Sequence, residues 1–319
     1  MPRVVRVCLL ILGLGVVALA IRRAGVSDVA RMLRRAGPSF LAIAAIYLLQ
    51  VFVRALALWR TTLDEVVRYR DVLAIRFMGE AVDALASTGP LIAEPSKGWF
   101  LGRRGIEPSI AYGAVLAEYL LSIVASAVLA AIALSYLIAR QLLPVALQHA
   151  AAVLVLLIAA FLVAFSVAAA TGTGLIVPSL LAIGRVLRWR APARAAVGFM
   201  PVEDVIIRFL SADRRRVAEV MAVEACAQLL LIGELRVIIA ALGFQSSWLA
   251  SLVVEGGVKF VAIAFAFVPG QLGASEVVYA VLCGAIGLPA AAGVSVALVR
   301  RLRSMVVAIA GLTTYALTG

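Results

Sequence analysis

The sequence predicts an all-α protein, a polytopic bundle of membrane helices with two broken or re-entrant helical segments and a weak internal repeat. Of its 319 residues, 64% are hydrophobic and 14% are charged, and the mean hydropathy is +1.10. A water-soluble globule of this composition lacks the polar residues that would cover its surface. Apolar runs of about 20 residues, the length that crosses ~30 Å of hydrocarbon, recur along the chain. We therefore expect a multi-pass membrane protein.

We expect one transmembrane domain over residues 1–319, with a first half at about 1–171, a basic cytoplasmic loop at 172–216 and a second half at 217–319. The first of the apolar runs is only marginally long enough to span a membrane, and the others are clearly long enough. The runs lie at 7–21, 38–59, 110–139, 145–171, 217–242, 247–268 and 289–317.

The first apolar run has a second interpretation, as a signal peptide. Two arginines precede it, and Ala18, Leu19 and Ala20 form an A-x-A sequence. Because Arg22 and Arg23 follow at once and the chain continues as a membrane protein, we favour a membrane span.

Two further segments, at about 72–96 and 269–287, are apolar but contain acids and helix breakers. Both features cost free energy in a helix that faces lipid, and both are tolerated where the backbone is buried in protein or lines a wet cavity. We therefore expect these segments to form re-entrant hairpins around a polar groove. The acids are Glu80, Asp83, Glu94 and Glu276, and the breakers include Gly89, Pro90, Pro269, Gly270 and Gly273.

The orientation of the protein depends on the segment at 72–96. A full crossing places the N-terminus outside, whereas a re-entrant hairpin places it in the cytoplasm, and the count of Lys and Arg in the loops does not separate the two. The acids and breakers favour the hairpin. In either case residues 172–216, with eight arginines and three acids, are expected in the cytoplasm as one or two short helices on the membrane surface.

The two halves of the chain resemble each other at a spacing of 182 residues. Each half has the same order: a breaker, an acid, a short apolar helix ending at glycine, a tight turn with proline, and a long helix with a charge about ten residues in. Internal repeats built around broken hydrophobic segments are typical of transporters. The simpler alternative is that glycine-rich membrane turns resemble one another. The shift places Glu94 on Glu276, Gly102 on Gly284, Gly105 on Gly287 and Glu118 on Arg300.

Charged side chains are predicted near the middle of the membrane. Glu118 and the group of Arg300, Arg301 and Arg303 lie about ten residues into their helices, or ~15 Å along the axis. An unpaired charge there costs at least ~2.5 kcal/mol. We expect at least one of the arginines to meet Glu118, Glu276 or an anionic ligand. The alternative is that these charges only hold helices together.

Other charges lie in the apolar runs of the second half. Glu224, Glu234 and Arg236 fall in the run at 217–242. Glu255 and Lys259 are spaced i, i+4, so we expect them to neutralise each other on one helix face.

Several classes of site are not expected. His149 is the only histidine, and no carboxylates, histidines or cysteines have the spacing of a metal site. We therefore expect no metal and no cofactor. The sequence contains no Walker A motif, so we do not expect direct use of ATP. The net charge of +12 comes from arginines between the apolar runs, which fits anionic lipid better than nucleic acid.

The sequence resembles the flippase-like transmembrane domain of lysylphosphatidylglycerol synthases over nearly its whole length. The resemblance rests on AGPSFLAIAAIYLLQVFVRALALWRTTL, on AVLAEYL with Glu118, and above all on VPGQLGASE followed by ALVRRLR. It also rests on the run of Gly79, Asp83, Ala93, Glu94, Lys97 and Leu101. Where the family tends to have Asn, Pro, Gly-Glu and Arg, this chain has Asp83, Ser87, Ala93-Glu94 and Lys97. This chain therefore keeps an acid and a base at these positions, but it lacks the family's proline and glycine, which favour breaks in a helix.

The resemblance implies a lipid translocase in the cytoplasmic (inner) membrane, and no enzyme, since no soluble region is long enough for an aminoacyl-transferring domain. The substrate is expected to be an anionic phospholipid or a polyprenyl phosphate, and the protein is expected to form a homo-oligomer or to pair with a lipid-synthesis enzyme. Two alternatives stay open: an integral membrane enzyme and a non-transporting partner subunit. The expected headgroup-binding residues are Lys97, Arg300, Arg301, Glu94, Glu118 and Glu276, with Gly89, Pro90, Pro269, Gly270 and Gly273 lining the groove.

Overall fold

The computed structural model describes residues 26–62, 67–85, 90–174, 176–186, 190–264 and 274–318. Within these ranges the chain forms eleven helices and no strands, which confirms the predicted all-α fold class. The predicted span at 7–21 lies outside the described residues.

Most helix bounds follow the predicted apolar runs within a few residues, but the first described helix begins at Val26, before the run predicted at 38–59, and is kinked at Gly37 (φ 39°). The first five helices are α1 (Val26–Thr61), α2 (Tyr69–Leu85), α3 (Pro90–Gly102), α4 (Pro108–Ala139) and α5 (Val145–Thr171). The remaining six are α6 (Ile176–Val186), α7 (Arg190–Ala212), α8 (Arg214–Ala241), α9 (Trp248–Ala264), α10 (Ala274–Ala285) and α11 (Ala290–Thr318).

Three stretches of the described helices are long and apolar enough to cross a membrane. They are Ser39–Thr61 in α1, Pro108–Ala139 in α4 and Leu147–Thr171 in α5, and they match three of the predicted spans. The described parts of the predicted apolar runs at 217–242, 247–268 and 289–317 coincide with α8, α9 and α11. Charged residues interrupt α8 and α11, and α9 has 17 residues, fewer than the roughly 20 that a span needs.

Both interrupted segments contain short helices. The described part of the segment at 72–96 lies in α2 and α3, which pack against each other. The described part of the segment at 269–287 lies in α10 and the turn after it, and α10 packs against α9, which precedes the segment. Gly89, Pro269, Gly270 and Gly273 lie outside the described residues. That these helix pairs are re-entrant stays a prediction.

The helix order supports the internal repeat. A shift of 182 residues carries α1 to α4 onto α8 to α11, with bounds that agree within a few residues apart from the longer start of α1. For example, α3 would move to 272–284, and α10 spans Ala274–Ala285. The turns that follow these two short helices each contain a glycine in the left-handed region, Gly105 at φ 92° and Gly287 at φ 82°. This conformation favours glycine, so the repeat extends to the turns.

The two repeats pack against each other in a pattern that is close to two-fold. Helix α1 packs against its counterpart α8, while α2 packs against α11 and, equivalently, α9 packs against α4. The largest apolar core joins α4, α8, α9 and α11 around Leu235, Val253 and Val296. Helix α5, by contrast, exposes Leu156 and Leu157, as expected of a helix that faces lipid.

Most of the described part of the basic segment at 172–216 is helical, as predicted. It forms α6 and α7, which pack against each other, and α7 packs in turn on α4 and α5. The Glu203 side chain fixes the start of α6 by accepting hydrogen bonds from the backbone N–H groups of Ile176 (2.6 Å) and Val177 (3.2 Å). Both N–H groups lack partners within their own helix, so the carboxylate acts as its cap.

Glycine allows the close crossing of the two repeats. A Cβ atom on Gly256 of α9 would lie 2.6 Å from the Ala133 Cβ and 2.6 Å from the Leu129 carbonyl oxygen of α4. Gly311 of α11, which the 182-residue shift places on Leu129, occupies the corresponding crossing and would meet the Phe77 carbonyl oxygen of α2. Small residues at such crossings let helix backbones approach closely.

We expect Gly256→Ala to destabilise the protein by about 1–3 kcal/mol, because the added methyl group forces α9 away from α4. Gly284→Ala is the matched control, since no atom lies within 4 Å of the Cβ position on that helical glycine. The measurement is unfolding of both variants in detergent. Equal stability of the two variants would contradict the close crossing.

Candidate functional site

Glu118 of α4 lies at the centre of a buried group of charges. Its carboxylate is 0% exposed. The Oε1 atom accepts hydrogen bonds from Arg54 Nη2 of α1 at 2.9 Å and from Arg76 Nη1 of α2 at 3.2 Å. Arg54 Nη2 also donates to the Ser122 hydroxyl, one helical turn further along α4, at 2.9 Å. Glu118 therefore ties three helices of the first repeat together.

Two further carboxylates complete this group. Arg76 pairs with Glu80 at 3.1 Å on the same face of α2. Arg54 Nε reaches Glu224 Oε1 of α8 at 3.4 Å, a contact that joins the first repeat to the second. We call these five residues the first cluster. Its two arginines and three glutamates sum to a charge of −1 when all are ionised.

Arg300 of α11 organises a second group in the same way. Its guanidinium contacts Glu234 of α8 at 3.2 Å and Glu255 of α9 at 2.6 Å. It also donates to the Tyr279 hydroxyl of α10 at 2.6 Å. These contacts join four helices of the second repeat.

The second cluster consists of Arg300 with Arg303, Lys259, Glu234 and Glu255. Arg303 contacts Glu234 at 2.5 Å, and Lys259 contacts Glu255 at 3.4 Å. The latter contact confirms the i, i+4 pair that the sequence predicts. Three cations and two carboxylates give this cluster a charge of +1.

Tyr47 of α1 connects the two clusters. Its hydroxyl donates a hydrogen bond to Glu80 Oε2 at 2.7 Å, and the Arg303 guanidinium lies over its ring, 3.5 Å from the centroid. Stacking of a cation on an aromatic face is attractive. The two clusters and Tyr47 therefore form one charge network, whose five cations and five carboxylates balance.

The network has opposite signs in the two repeats. Glu118 and Arg300 occupy equivalent positions on α4 and α11, 182 residues apart. Glu118 binds arginines from α1 and α2, whereas Arg300 binds glutamates from α8 and α9, the helices that correspond to α1 and α2. An anion in one repeat is thus replaced by a cation in the other.

Lys97 and Glu94, both predicted site residues, pair with each other on α3. The Lys97 Nζ atom lies 2.7 Å from the Glu94 carboxylate, and both side chains are buried. The aliphatic part of Lys97 crosses Gly79 of α2, where a Cβ would come within 2.7 Å of it. This pair is neutral and lies beside the network.

The other predicted residues are placed as follows. Arg300 and Arg303 contact Glu234 and Glu255 instead of Glu118, and Arg301 is half-buried on α11. Glu276 lies on α10 and Pro90 at the start of α3, but the structure does not describe their side chains. The remaining predicted residues lie outside the described ranges: Gly89, Pro269, Gly270 and Gly273.

The sequence did not single out Arg76 or Tyr47 as site residues, although both are central to the network. Arg76 has a detectable signal, because it precedes Glu80 by one helical turn within an apolar segment. Tyr47 has none, since one tyrosine in an apolar helix is ordinary. Its role depends on the approach of α1 to α11.

A cavity of about 30 Å³ lies between α4, α5, α6 and α7, with room for about one water molecule. The Glu203 side chain and the apolar side chains of Leu120, Phe165 and Ile206 are among those that line it. No residue of the charge network lines it.

Among the residues that the structure describes, no group of three or more His, Cys, Asp or Glu side chains could hold a metal ion. What the site does contain is buried charge, part of it on α1 and α4, two of the helices that are long and apolar enough to cross a membrane. Such charges are rare in membrane proteins and mark ion, proton or substrate pathways. The fold and the site together define a multi-pass membrane protein with a polar interior.

The family model for the lysylphosphatidylglycerol synthase TM region matches residues 5–311. The chain therefore belongs to this family, as the sequence predicted, and it is a membrane protein of lipid biosynthesis. No curated protein and no solved structure shows a significant match to it.

We expect Glu118→Gln to destabilise the protein by about 3–5 kcal/mol, because it leaves two buried arginines without their shared carboxylate. Glu219→Gln on α8 is the control, since that side chain is 34% exposed and pairs with surface arginines. It should cost less than about 1 kcal/mol. Unfolding in detergent measures both, and similar losses would show that Glu118 is not the centre of the first cluster.

Proposed function

We propose that the protein is a lipid translocase that moves a lipid with a phosphate-bearing headgroup between the leaflets of the membrane. The substrate is an anionic phospholipid or a polyprenyl-phosphate-linked lipid. The single observation that carries the proposal is the charge network, in which ten ionisable side chains from both repeats meet inside a membrane-embedded bundle. Membrane proteins place so many charges there at high cost in free energy.

The physical problem of lipid translocation explains such a network. A phosphate headgroup loses its hydration when it enters hydrocarbon, and it crosses only if polar groups replace the lost water. Arginine and lysine form charge-assisted hydrogen bonds with phosphate oxygens as readily as with carboxylates. The contacts of Arg300 with Glu234 and Glu255 are therefore contacts that a phosphate can take over.

Translocation then alternates between two sets of partners. In the state described here, carboxylates occupy the cations, and the network is neutral when all ten side chains are ionised. When the repeats separate along the contacts of α1 with α8, the headgroup replaces a carboxylate at Arg300, Arg301 or Lys97. Until then Glu94 holds Lys97 in position, and Glu234 and Glu255 hold Arg300.

The close packing of the network also supports a second candidate, a non-transporting subunit of a lipid-synthesis enzyme. Most of the charges satisfy one another, which is what a purely structural network does. In that case the charges contribute only to stability, and the purified protein is bound to an enzyme.

We expect Arg300→Gln to slow lipid translocation by about tenfold or more, a loss of roughly 1.4 kcal/mol or more of barrier stabilisation. The measurement is the movement of fluorescent phosphatidylglycerol across proteoliposome membranes, followed by quenching from outside. Arg215→Gln is the control, because the Arg215 side chain is 91% exposed at the start of α8.

Equal rates for Arg300→Gln and the unmutated protein would remove Arg300 from the pathway. No movement by the folded, unmutated protein, together with a bound enzyme after mild purification, would favour the subunit over the translocase.

A further inference from the structure

Glu224 is the least satisfied carboxylate of the first cluster. It is 0% exposed, and its ion pair with Arg54 is long, at 3.4 Å. Glu118, by contrast, binds two arginines, and Glu80 binds Arg76 and the Tyr47 hydroxyl. The Oε2 atoms of both Glu224 and Glu118 are buried and have no hydrogen-bond partner among the described residues. A buried ionised carboxylate with so few partners is costly in free energy.

The groups that face Glu224 act in opposite directions: burial and the nearby Glu118 carboxylate favour a proton on it, whereas the two arginines favour its ionised form. These groups are Arg54 from α1, Arg76 from α2 and Glu118 from α4. The carboxyl groups of Glu224 and Glu118 lie within hydrogen-bonding reach of each other. Two ionised carboxylates repel at this distance, whereas a carboxylic acid donates a hydrogen bond to a carboxylate. One proton between them satisfies both unpaired oxygen atoms.

The charge balance of the network links this proton to the lipid. A proton on Glu224 brings the first cluster from −1 to zero. The second cluster keeps its charge of +1, carried by Arg300, Arg303 and Lys259 against Glu234 and Glu255. A phosphodiester headgroup carries one negative charge, so binding it at the second cluster makes the whole network neutral again.

We propose that Glu224 is the proton-binding group of the site, and that one proton enters the network with each phosphate-bearing lipid. The Oε2 atom of Glu224 forms an O–H bond with a proton taken from water on one side of the membrane. That bond breaks when the proton leaves to water on the other side. The membrane proton gradient then supplies the energy of transport. This inference rests on the proposed lipid translocation.

Infrared spectroscopy tests the proton site without any lipid transport. In difference spectra of the reconstituted protein between alkaline and acidic pH, we expect the C=O stretch of a protonated, buried carboxylic acid. Glu224→Gln should abolish this band, and Glu219→Gln on the same helix should keep it. An identical band in Glu224→Gln would overturn the assignment of the proton to Glu224.

Stability provides a second test of the proton site. Glutamine resembles a protonated glutamic acid, so Glu224→Gln should fold and unfold like the unmutated protein. Failure of Glu224→Gln to fold would show that the native side chain is ionised, and would overturn the inference.

Coupling is tested by translocation under a pH gradient. Proteoliposomes with fluorescent phosphatidylglycerol and an acidic exterior should transport several-fold faster than those without a gradient. The Glu224→Gln variant should transport at one rate in both conditions. If the unmutated protein transports lipid at the same rate with and without the gradient, proton coupling is overturned but translocation is not. Suppose instead that Glu224→Gln loses the infrared band but neither the variant nor the unmutated protein moves lipid. That result would refute translocation and leave the proton site in place.

Discussion

The contact between Arg54 and Glu118 is the interaction on which the arrangement of the first repeat depends. Neither side chain has enough surrounding water to stay charged alone, because Glu118 is fully buried and the Arg54 side chain is 17% exposed. Arg54 must therefore place α1 beside α4, and its further contact with Glu224 places α1 beside α8. In a membrane, where burying apolar surface gives little driving force between helices, such polar contacts and close backbone crossings determine which helices meet.

The repeat explains why the network has two clusters of opposite sign. If α4 and α11 place a charged residue at equivalent positions, like charges in both repeats would leave a large excess of one sign in the membrane. The exchange of Glu118 for Arg300 lets each repeat recruit partners of the other sign from its own preceding helices. Tyr47 then joins the clusters through an aromatic ring and a hydroxyl group, a link that adds no further charge. The network as a whole stays neutral while each half keeps a surplus that a proton or a phosphate can neutralise.

The sequence predicted most of the helices, their bounds and the repeat, because apolar run length and glycine turns are local signals, but it did not predict that α1 begins at Val26. It also predicted that Glu118, Arg300 and Glu255 lie in membrane helices, from their positions along apolar runs. It did not predict which charges meet. A helix that is apolar on all sides, such as α4, has no polar face that marks its exposed side, so hydrophobic periodicity does not show which side is buried. The partners of Glu118 on α1 and α2, and the role of Tyr47, depend on tertiary packing that no local pattern encodes.

A double-mutant cycle between Glu118→Gln and Glu234→Gln tests most directly whether the buried charges act as one network. The two residues lie in different clusters, Glu118 on α4 and Glu234 on α8, and they share no partner among the contacts described. In one network, loss of the first carboxylate makes loss of the second more costly. The double variant should then lose at least about 0.5 kcal/mol more than the sum of the single variants. Losses that add within about 0.3 kcal/mol would show two independent groups of ion pairs and contradict the account.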